Sequence, residues 1–173
     1  MEIRAYEPAD YREWLRMRRA LWPEIDQDEE AEAVAWQARP DAMTLVAVRP
    51  AGGLAGFAEF GTRPRAEGCT SEPVAYLEGW YVDPDARRRG IGAALIRAGE
   101  AWARRVGLRE LASDAVIENT TSHRAHHALG FVEVERVVLY RKSLGGCAES
   151  TEPDHASTFK RRDGGADISA ESH

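Results

Sequence analysis

The fold of this chain is indicated most strongly by residues 87–95, which read Arg87-Arg88-Arg89-Gly90-Ile91-Gly92-Ala93-Ala94-Leu95. The stretch follows an apolar run, Val74–Val82, and it opens an amphipathic helix predicted over Arg89–Arg105. A helix start presents unpaired backbone N–H groups and a partial positive charge, and glycines let a phosphate approach the backbone closely. We therefore predict an anion-binding turn here, with three arginines that supply charge for further phosphates.

Two common phosphate-binding motifs fit this turn less well. A Walker loop needs Lys followed by Ser or Thr after its last glycine, and Ala93-Ala94 stand there instead. A dinucleotide-binding fingerprint needs a third small residue at the position of Leu95. On the residues alone, the remaining alternative is a glycine-containing turn before an ordinary helix.

The elements on either side of this turn predict a mixed α/β (α+β) fold in the order β-α-α-β-β-β-α-β-α-β. Before it, we predict strands over Ile3–Tyr6, Met43–Val48, Leu54–Phe60 and Val74–Val82, with two helices between the first and second strands. After it, we predict a strand over Leu108–Val116, a helix over Asn119–Leu129 and a final strand over Phe131–Arg141. The core candidates of that final strand are Val132, Val134, Val137, Val138 and Leu139.

Composition restricts the class of protein. The 173 residues, 43% of them hydrophobic, suffice for one domain over residues 1–144, while the polar residues 145–173 predict a disordered tail. The two cysteines, Cys69 and Cys147, have no metal-like spacing, and we expect no disulfide framework. Such a protein suits a reducing compartment, and we therefore expect it in the cytoplasm. A net charge of −6 argues against nonspecific nucleic-acid binding, and without a long apolar run we expect no membrane partner.

Several motifs together resemble a known group of enzymes. Val82-Asp83-Pro84, the turn at 87–92 and the later Ala128-Leu129-Gly130-Phe131 resemble the GCN5-related N-acetyltransferase (GNAT) superfamily. A closer match spans residues 1–144 and resembles the aminoglycoside 6′-N-acetyltransferases. It is carried, in chain order, by Leu21-Trp22-Pro23, Leu77-Glu78-Gly79, Ala112-Ser113-Asp114, Glu118-Asn119-Thr120, His126 to Phe131, and Glu133-Val134-Glu135-Arg136-Val137.

This resemblance implies a GNAT fold, a mixed central β-sheet flanked by helices, with splayed middle strands that end at Val82 and Val116. Acetyl-CoA would lie in the splay as cosubstrate, with its pantetheine arm along the backbone of residues 80–82 and its pyrophosphate on the N–H groups of residues 88–93. The implied cofactor-binding residues are Trp80, Tyr81, Val82, Arg87, Arg88, Arg89, Gly90, Ile91, Gly92, Ala93, Asn119 and His126.

Two carboxylates, Glu78 and Asp114, are the candidate catalytic residues. An ammonium must lose a proton before it can attack a thioester, and a carboxylate in the cleft can orient it and accept that proton. Each of the two residues interrupts a largely apolar strand. From the residues alone, a solvent-facing strand position or a pairing with an arginine is the favoured interpretation of each. The resemblance favours a functional role for both, in catalysis and in substrate binding.

The resemblance places two further residues, Trp22 and Glu135, on the substrate side of the cleft. Trp22 either packs on a sugar ring or fills the core at the end of a helix, and Glu135 is alternatively an exposed residue beside Arg136. His126 stands where the wider superfamily places a tyrosine acid, and its role is left open. No metal site is predicted, since His123 and His127 have the i,i+4 spacing of two ligands but no third ligand is evident.

The resemblance implies acetylation of the 6′-amine of aminoglycoside antibiotics, which would confer resistance. The acidic candidates and the stretch Glu24–Glu32 suit a polycationic substrate, whereas Arg63 and Arg65 count against it if they face the site. The alternatives are acetylation of another amine, on a polyamine or a protein N-terminus, and a non-catalytic acyl-CoA sensor. The resemblance also implies a homodimer, and Val132–Tyr140 could pair across its interface or form a core strand.

Overall fold

The computed structural model describes residues 1–23 and 29–143, which form five strands and four α-helices. The strands are β1 Glu2–Ala5, β2 Met43–Val48, β3 Leu54–Arg63, β4 Val74–Val82 and β5 Leu111–Ser113. The helices are α1 Tyr11–Leu21, α2 Glu29–Gln37, α3 Ile91–Arg105 and α4 Thr120–Ala128. Residues 24–28 of the acidic stretch and the predicted tail at 145–173 lie outside the described residues.

The sheet has the order β1-β2-β3-β4-β5, with antiparallel neighbours except for the parallel pair β4 and β5. This confirms the expected mixed sheet. Strands β4 and β5 pair only over Ala75–Leu77 and Leu111–Ser113, so they part after Leu77 and Ser113. The splay expected between the middle strands is therefore present.

Helices cover both faces of the sheet, and each face has its own core. On one face α3 packs Leu95, Ile96 and Trp102 on the strands, because its apolar residues recur at helical spacing. On the other face α1 and α2 pack against Val46 and Phe57. The four helices among the described residues include none long and apolar enough to cross a membrane.

A β-bulge in the pairing of β3 with β4 fixes the direction of Glu78. Glu59 lies opposite Gly79 and Phe60 lies opposite Leu77, so Glu78 is the extra residue between the two pairs. The extra residue shifts the alternation of β4. Trp80 therefore faces α3, while Glu78 shares the opposite face with Tyr76.

The prediction of a final strand over Phe131–Arg141 is wrong for the single chain. Residues 131–143 form neither helix nor strand, and the expected core valines are exposed, Val132 by 78% and Val138 by 74%. A strand needs a neighbouring edge for its backbone hydrogen bonds, and here residues 131–139 face β5 and α4 across a cavity. The predicted strand at Leu108–Val116 is likewise shortened to β5.

Candidate active site

The opening between β4 and β5 exposes backbone groups of β4. The Asp83 N–H donates to the Ala55 carbonyl at 2.9 Å, so Asp83 faces β3. In an antiparallel ladder the residues alternate in direction, and Trp80 and Val82 therefore turn their backbone groups toward the opening. The Tyr81 backbone faces β3 instead. The contact of residues 80–82 with pantetheine stays a prediction, and this geometry favours Trp80 and Val82 for it.

The turn after β4 has the shape that the sequence predicts for an anion site. Gly90 adopts a left-handed conformation, φ +77°, directly before α3, and Arg88 does so at φ +58°. A Cβ placed on Gly92 would lie only 2.6 Å from the Trp80 ring, so the first turn of α3 fits against this tryptophan only because residue 92 is glycine. The N–H groups at the start of α3 have no acceptor within the helix. The turn therefore fits the pyrophosphate of a coenzyme.

The three arginines of the turn differ in their surroundings. The Arg87 Nε donates to the Val82 carbonyl at 2.9 Å, so Arg87 closes the turn onto β4. Its guanidinium carbon also lies 5.8 Å from the centre of the Tyr81 ring. Arg88 and Arg89 are exposed and stand beside Gly90. Arg88 and Arg89 are therefore the cations best placed to meet a phosphate.

His126 lies beside the point where the strands part. Its Nδ1 lies 2.8 Å from the Ser122 carbonyl, which only accepts, so Nδ1 carries the proton. In the neutral ring, Nε2 then accepts from the Ser113 hydroxyl at 3.0 Å. The ring also packs edge-on against Trp80, with a centroid distance of 5.9 Å. His126 thus packs against Ser113 and Trp80 at the point where β4 and β5 part.

The half-buried His126 gives the protein a pH-dependent stability. Burial holds the pKa of His126 below its usual value of 6.5, whereas the unfolded chain takes up a proton at that value. The free energy of unfolding should therefore fall as the pH drops through about 6.5, until the folded-state pKa is reached.

We expect His126→Gln to flatten this part of the stability curve, measured by urea denaturation between about pH 5 and 8. His127→Gln is the matched control, because His127 is exposed on the same helix. An unchanged slope in His126→Gln would contradict the assignment.

The two candidate catalytic carboxylates flank the opening. Glu78 directly follows Leu77, and Asp114 directly follows Ser113, so each is the first residue after the last paired one. Glu78 is only 9% exposed, and its two oxygens accept from Arg63, Oε1 from Nε at 3.0 Å and Oε2 from Nη2 at 2.5 Å. Glu78 is thus both near the opening and paired with an arginine, two interpretations that the sequence left as alternatives.

Asp114 lies in a more open setting. It is exposed and accepts a hydrogen bond from the Tyr76 hydroxyl at 2.5 Å. Burial and this bond to a carboxylate raise the pKa of Tyr76 well above its ordinary value. Asp114 and Glu135 line one cavity of about 490 Å³ between β5, α4 and residues 131–139. The structure therefore brings Asp114 and Glu135 to one cavity, while Glu78 is not among the residues that line it.

Two predicted residues have structural partners. Trp22 is buried, and a Cβ on Gly79 would lie 2.6 Å from its ring, so the indole packs closely on β4 at the residue after Glu78. Asn119 is the N-cap of α4, where its side-chain oxygen accepts from the Ser122 N–H at 2.9 Å. Their roles toward substrate and cofactor stay predictions.

Sequence reasoning missed three residues of the site. Tyr76 and Ser113 hold the candidate Asp114 and His126, and Arg63 was considered only as an unfavourable charge. The alternation of β4, which puts Tyr76 and Glu78 on one face, was an available signal. No local signal placed Arg63 on Glu78. Over residues 1–23 and 29–143 no group of three or more His, Cys, Asp or Glu side chains is arranged to hold a metal ion.

Known proteins share both the sequence and the fold. The chain is 47% identical over 146 residues to aminoglycoside N(6′)-acetyltransferase type 1 of Klebsiella aerogenes, covering 82% of this chain and 96% of that protein. The crystal structure of the apo aminoglycoside 6′-N-acetyltransferase AAC(6′)-IG from Acinetobacter haemolyticus superposes with a TM-score of 0.78 at 34% identity. That superposition covers 84% of this chain and all of the other.

A second solved structure contains ligands. AAC(6′)-Iy in complex with the bisubstrate analogue CoA-S-monomethyl-acetylneamine is 38% identical, with a TM-score of 0.76, and covers 82% of this chain and 97% of that one. The model of the acetyltransferase (GNAT) family matches residues 11–131, well over half of the 173 residues. This match, together with the splayed sheet and the glycine turn, shows that the chain belongs to the GNAT acetyltransferase family.

Proposed function

We propose that this protein transfers the acetyl group of acetyl-CoA to the 6′-amine of aminoglycoside antibiotics and thereby confers resistance. The observation that carries the proposal is the opening between β4 and β5. An anion-binding turn follows β4 at Val82, and Glu78 and Asp114 flank the point where the strands part. The relatives named above, at 34–47% identity, are aminoglycoside 6′-N-acetyltransferases and support the choice of acceptor.

The residues of the opening divide the chemistry between them. Bound acetyl-CoA would supply an activated thioester, held by the N–H groups at the start of α3. The Trp80 N–H faces the opening and can donate to an oxyanion that forms beside it. Glu78 and Asp114 can hold the acceptor ammonium and take its proton, directly or through water. In a direct transfer the deprotonated amine would bond to the acetyl carbonyl carbon, the thioester C–S bond would break, and CoA would leave as a thiolate, with no enzyme-bound acetyl group.

The decisive experiment is an acetylation assay with matched acceptors. Neomycin carries a 6′-amine, and paromomycin carries a 6′-hydroxyl on the same scaffold. We expect turnover of neomycin and kanamycin, none at the 6′ position of paromomycin, and a product acetylated at the 6′-nitrogen by NMR. Turnover of spermidine or of an N-terminal peptide alone would favour another amine, and CoA binding without transfer would favour a sensor.

The arginines of the turn give a separate test of cofactor binding. We expect Arg88→Ser/Arg89→Ser to weaken CoA binding about tenfold, because two cations near the pyrophosphate are lost. Isothermal titration calorimetry measures the change. Arg97→Ser/Arg105→Ser is the control with the same loss of two charges, since both arginines are exposed on α3 and lie further from the turn. An equal effect of the two double changes would show that only the net charge matters.

We also propose that the protein is a homodimer and is cytoplasmic. Residues 132–140 present exposed apolar side chains, with Tyr140 93% exposed, beside β5, the last strand of the described sheet. A second copy would cover these residues and supply the edge that the predicted final strand lacks. Analytical ultracentrifugation should give about twice the chain mass of 19.2 kDa, and a monomer at micromolar concentration would overturn the proposal.

A further inference from the structure

Arg63 is paired with Glu78, one of the two carboxylates proposed to hold the acceptor ammonium. Its guanidinium makes two parallel hydrogen bonds to Glu78, a geometry that gives strong pairing. Its guanidinium carbon also lies 3.2 Å from the centre of the Tyr76 ring, so the group is stacked as well as paired. Arg63, the last residue of β3, is half-buried, whereas Arg65 in the loop that follows β3 is exposed and pairs with Glu72.

The surroundings of Glu78 are already rich in positive charge. A Cβ placed on Gly61 would lie 3.1 Å from Arg39 Nη2 and 3.2 Å from Glu78 Oε1, so a second guanidinium lies near the same oxygen. Arg39 itself pairs with Asp41. An incoming ammonium at Glu78 would therefore meet like charges unless Arg63 withdraws.

The other acidic groups are open to a cation. Asp114 is exposed and bonded to a neutral tyrosine hydroxyl, and Glu135 is exposed on the wall of the same cavity. An acceptor with several ammonium groups can pair with these carboxylates while one of its amines competes for Glu78. A monoamine has no second attachment and must displace Arg63 with one charge alone.

We infer that Arg63 is an internal competitor for the acceptor cation, and that its pairing with Glu78 makes the site select polycationic acceptors over simple amines. This inference rests on the proposed function, because it assumes that an acceptor ammonium binds Glu78. Arg63 is thus a specificity-determining residue. It leaves Glu78 when a polyamine is anchored elsewhere in the site, and it returns when the product departs.

The test compares two acceptors that share one aminomethyl sugar. Kanamycin is the polycation, and methyl 6-amino-6-deoxyglucoside is the monoamine. We expect Arg63→Met to raise kcat/KM for the monoamine about five- to tenfold relative to kanamycin, because solvent at the half-buried Arg63 screens the competing ion pair and limits what its removal gains. Calorimetry with CoA present should show tighter kanamycin binding as well.

Two further variants make the result specific. Arg65→Met removes the same charge two residues further along the chain, just after β3, and should leave the selectivity ratio unchanged. Arg63→Lys keeps the charge but loses the parallel bonds and the stacking, so it should shift the ratio in the same direction by about two- to threefold. Arg63→Lys also tests the inference if Arg63→Met does not fold.

The possible failures are distinguishable. If the wild-type protein neither binds nor acetylates kanamycin, the proposed function is wrong. If the wild type acetylates kanamycin but Arg63→Met and Arg63→Lys leave the ratio unchanged, or weaken kanamycin binding, only the role of Arg63 is wrong. An equal shift in Arg65→Met would reduce the effect to net charge and would also overturn the inference.

Discussion

Replacing Glu78 with Gln and Asp114 with Asn together should lower kcat/KM for kanamycin by about 10²- to 10⁴-fold, the usual contribution of a positioned acid or base. Both amides nearly match the carboxylates in size but cannot accept the ammonium proton. Since the two residues flank the parting of β4 and β5, the double change removes both candidate acceptors at once. Steady-state assays with acetyl-CoA measure the loss.

The single variants show which carboxylate carries more of the effect. Glu78 is paired with Arg63, while Asp114 is exposed and accepts from Tyr76, so we expect Asp114→Asn to affect kcat and Glu78→Gln to affect acceptor binding more. CoA affinity should stay unchanged in both. Glu100→Gln on α3, which removes an exposed helix pair with Arg104, is the control. A double variant that keeps the wild-type rate would contradict both assignments.

The sequence alone predicted what depends on local patterns. The turn at residues 87–93 was predictable because glycine conformation, helix start and charge all act within a few residues. The wedge between β4 and β5 came from family resemblance, and the structure confirms it. The β-bulge that separates the direction of Glu78 from that of Trp80 was not predictable, because the pairing of β3 with β4 sets it, and no residue of β4 alone reveals it.

Contacts between distant residues account for the rest of what was missed. Arg63 and Glu78 lie 15 positions apart, and Tyr76 and Asp114 lie 38 apart, so their pairing depends on sheet register. The alternating valines after Phe131 predicted a strand that the structure does not contain. A pattern does not supply the edge with which a strand pairs, and within one chain residues 131–143 have none.

A buried ion pair between α1 and β3 carries the largest expected effect on stability. Arg18 and Glu59 are both 0% exposed and directly bonded, and the Trp14 Nε1 also donates to Glu59 at 3.0 Å. The Arg18 guanidinium carbon lies 5.0 Å from the Trp14 ring centre and 4.8 Å from that of Trp22. The pair therefore anchors the helix end that leads to the site.

We expect Glu59→Gln to lower the free energy of unfolding by about 3–5 kcal/mol, because it leaves the Arg18 charge buried without a carboxylate. Arg18 Nε and Nη2 already have no hydrogen-bond partner in the described part of the chain, so no other group there compensates. Urea denaturation measures the change, with the exposed pair of Glu133 and Arg136 as the control, where Glu133→Gln should cost less than about 1 kcal/mol.

The double change Arg18→Met/Glu59→Leu separates charge burial from packing. If desolvated charge is the cause, two apolar side chains of similar size should recover most of the stability, since neither leaves an unpaired ion. If the double variant is as unstable as Glu59→Gln, the Arg18 guanidinium is needed for its packing on the Trp14 and Trp22 rings. Because Trp22 packs on Gly79 beside Glu78, that outcome would also be expected to raise the KM for the acceptor.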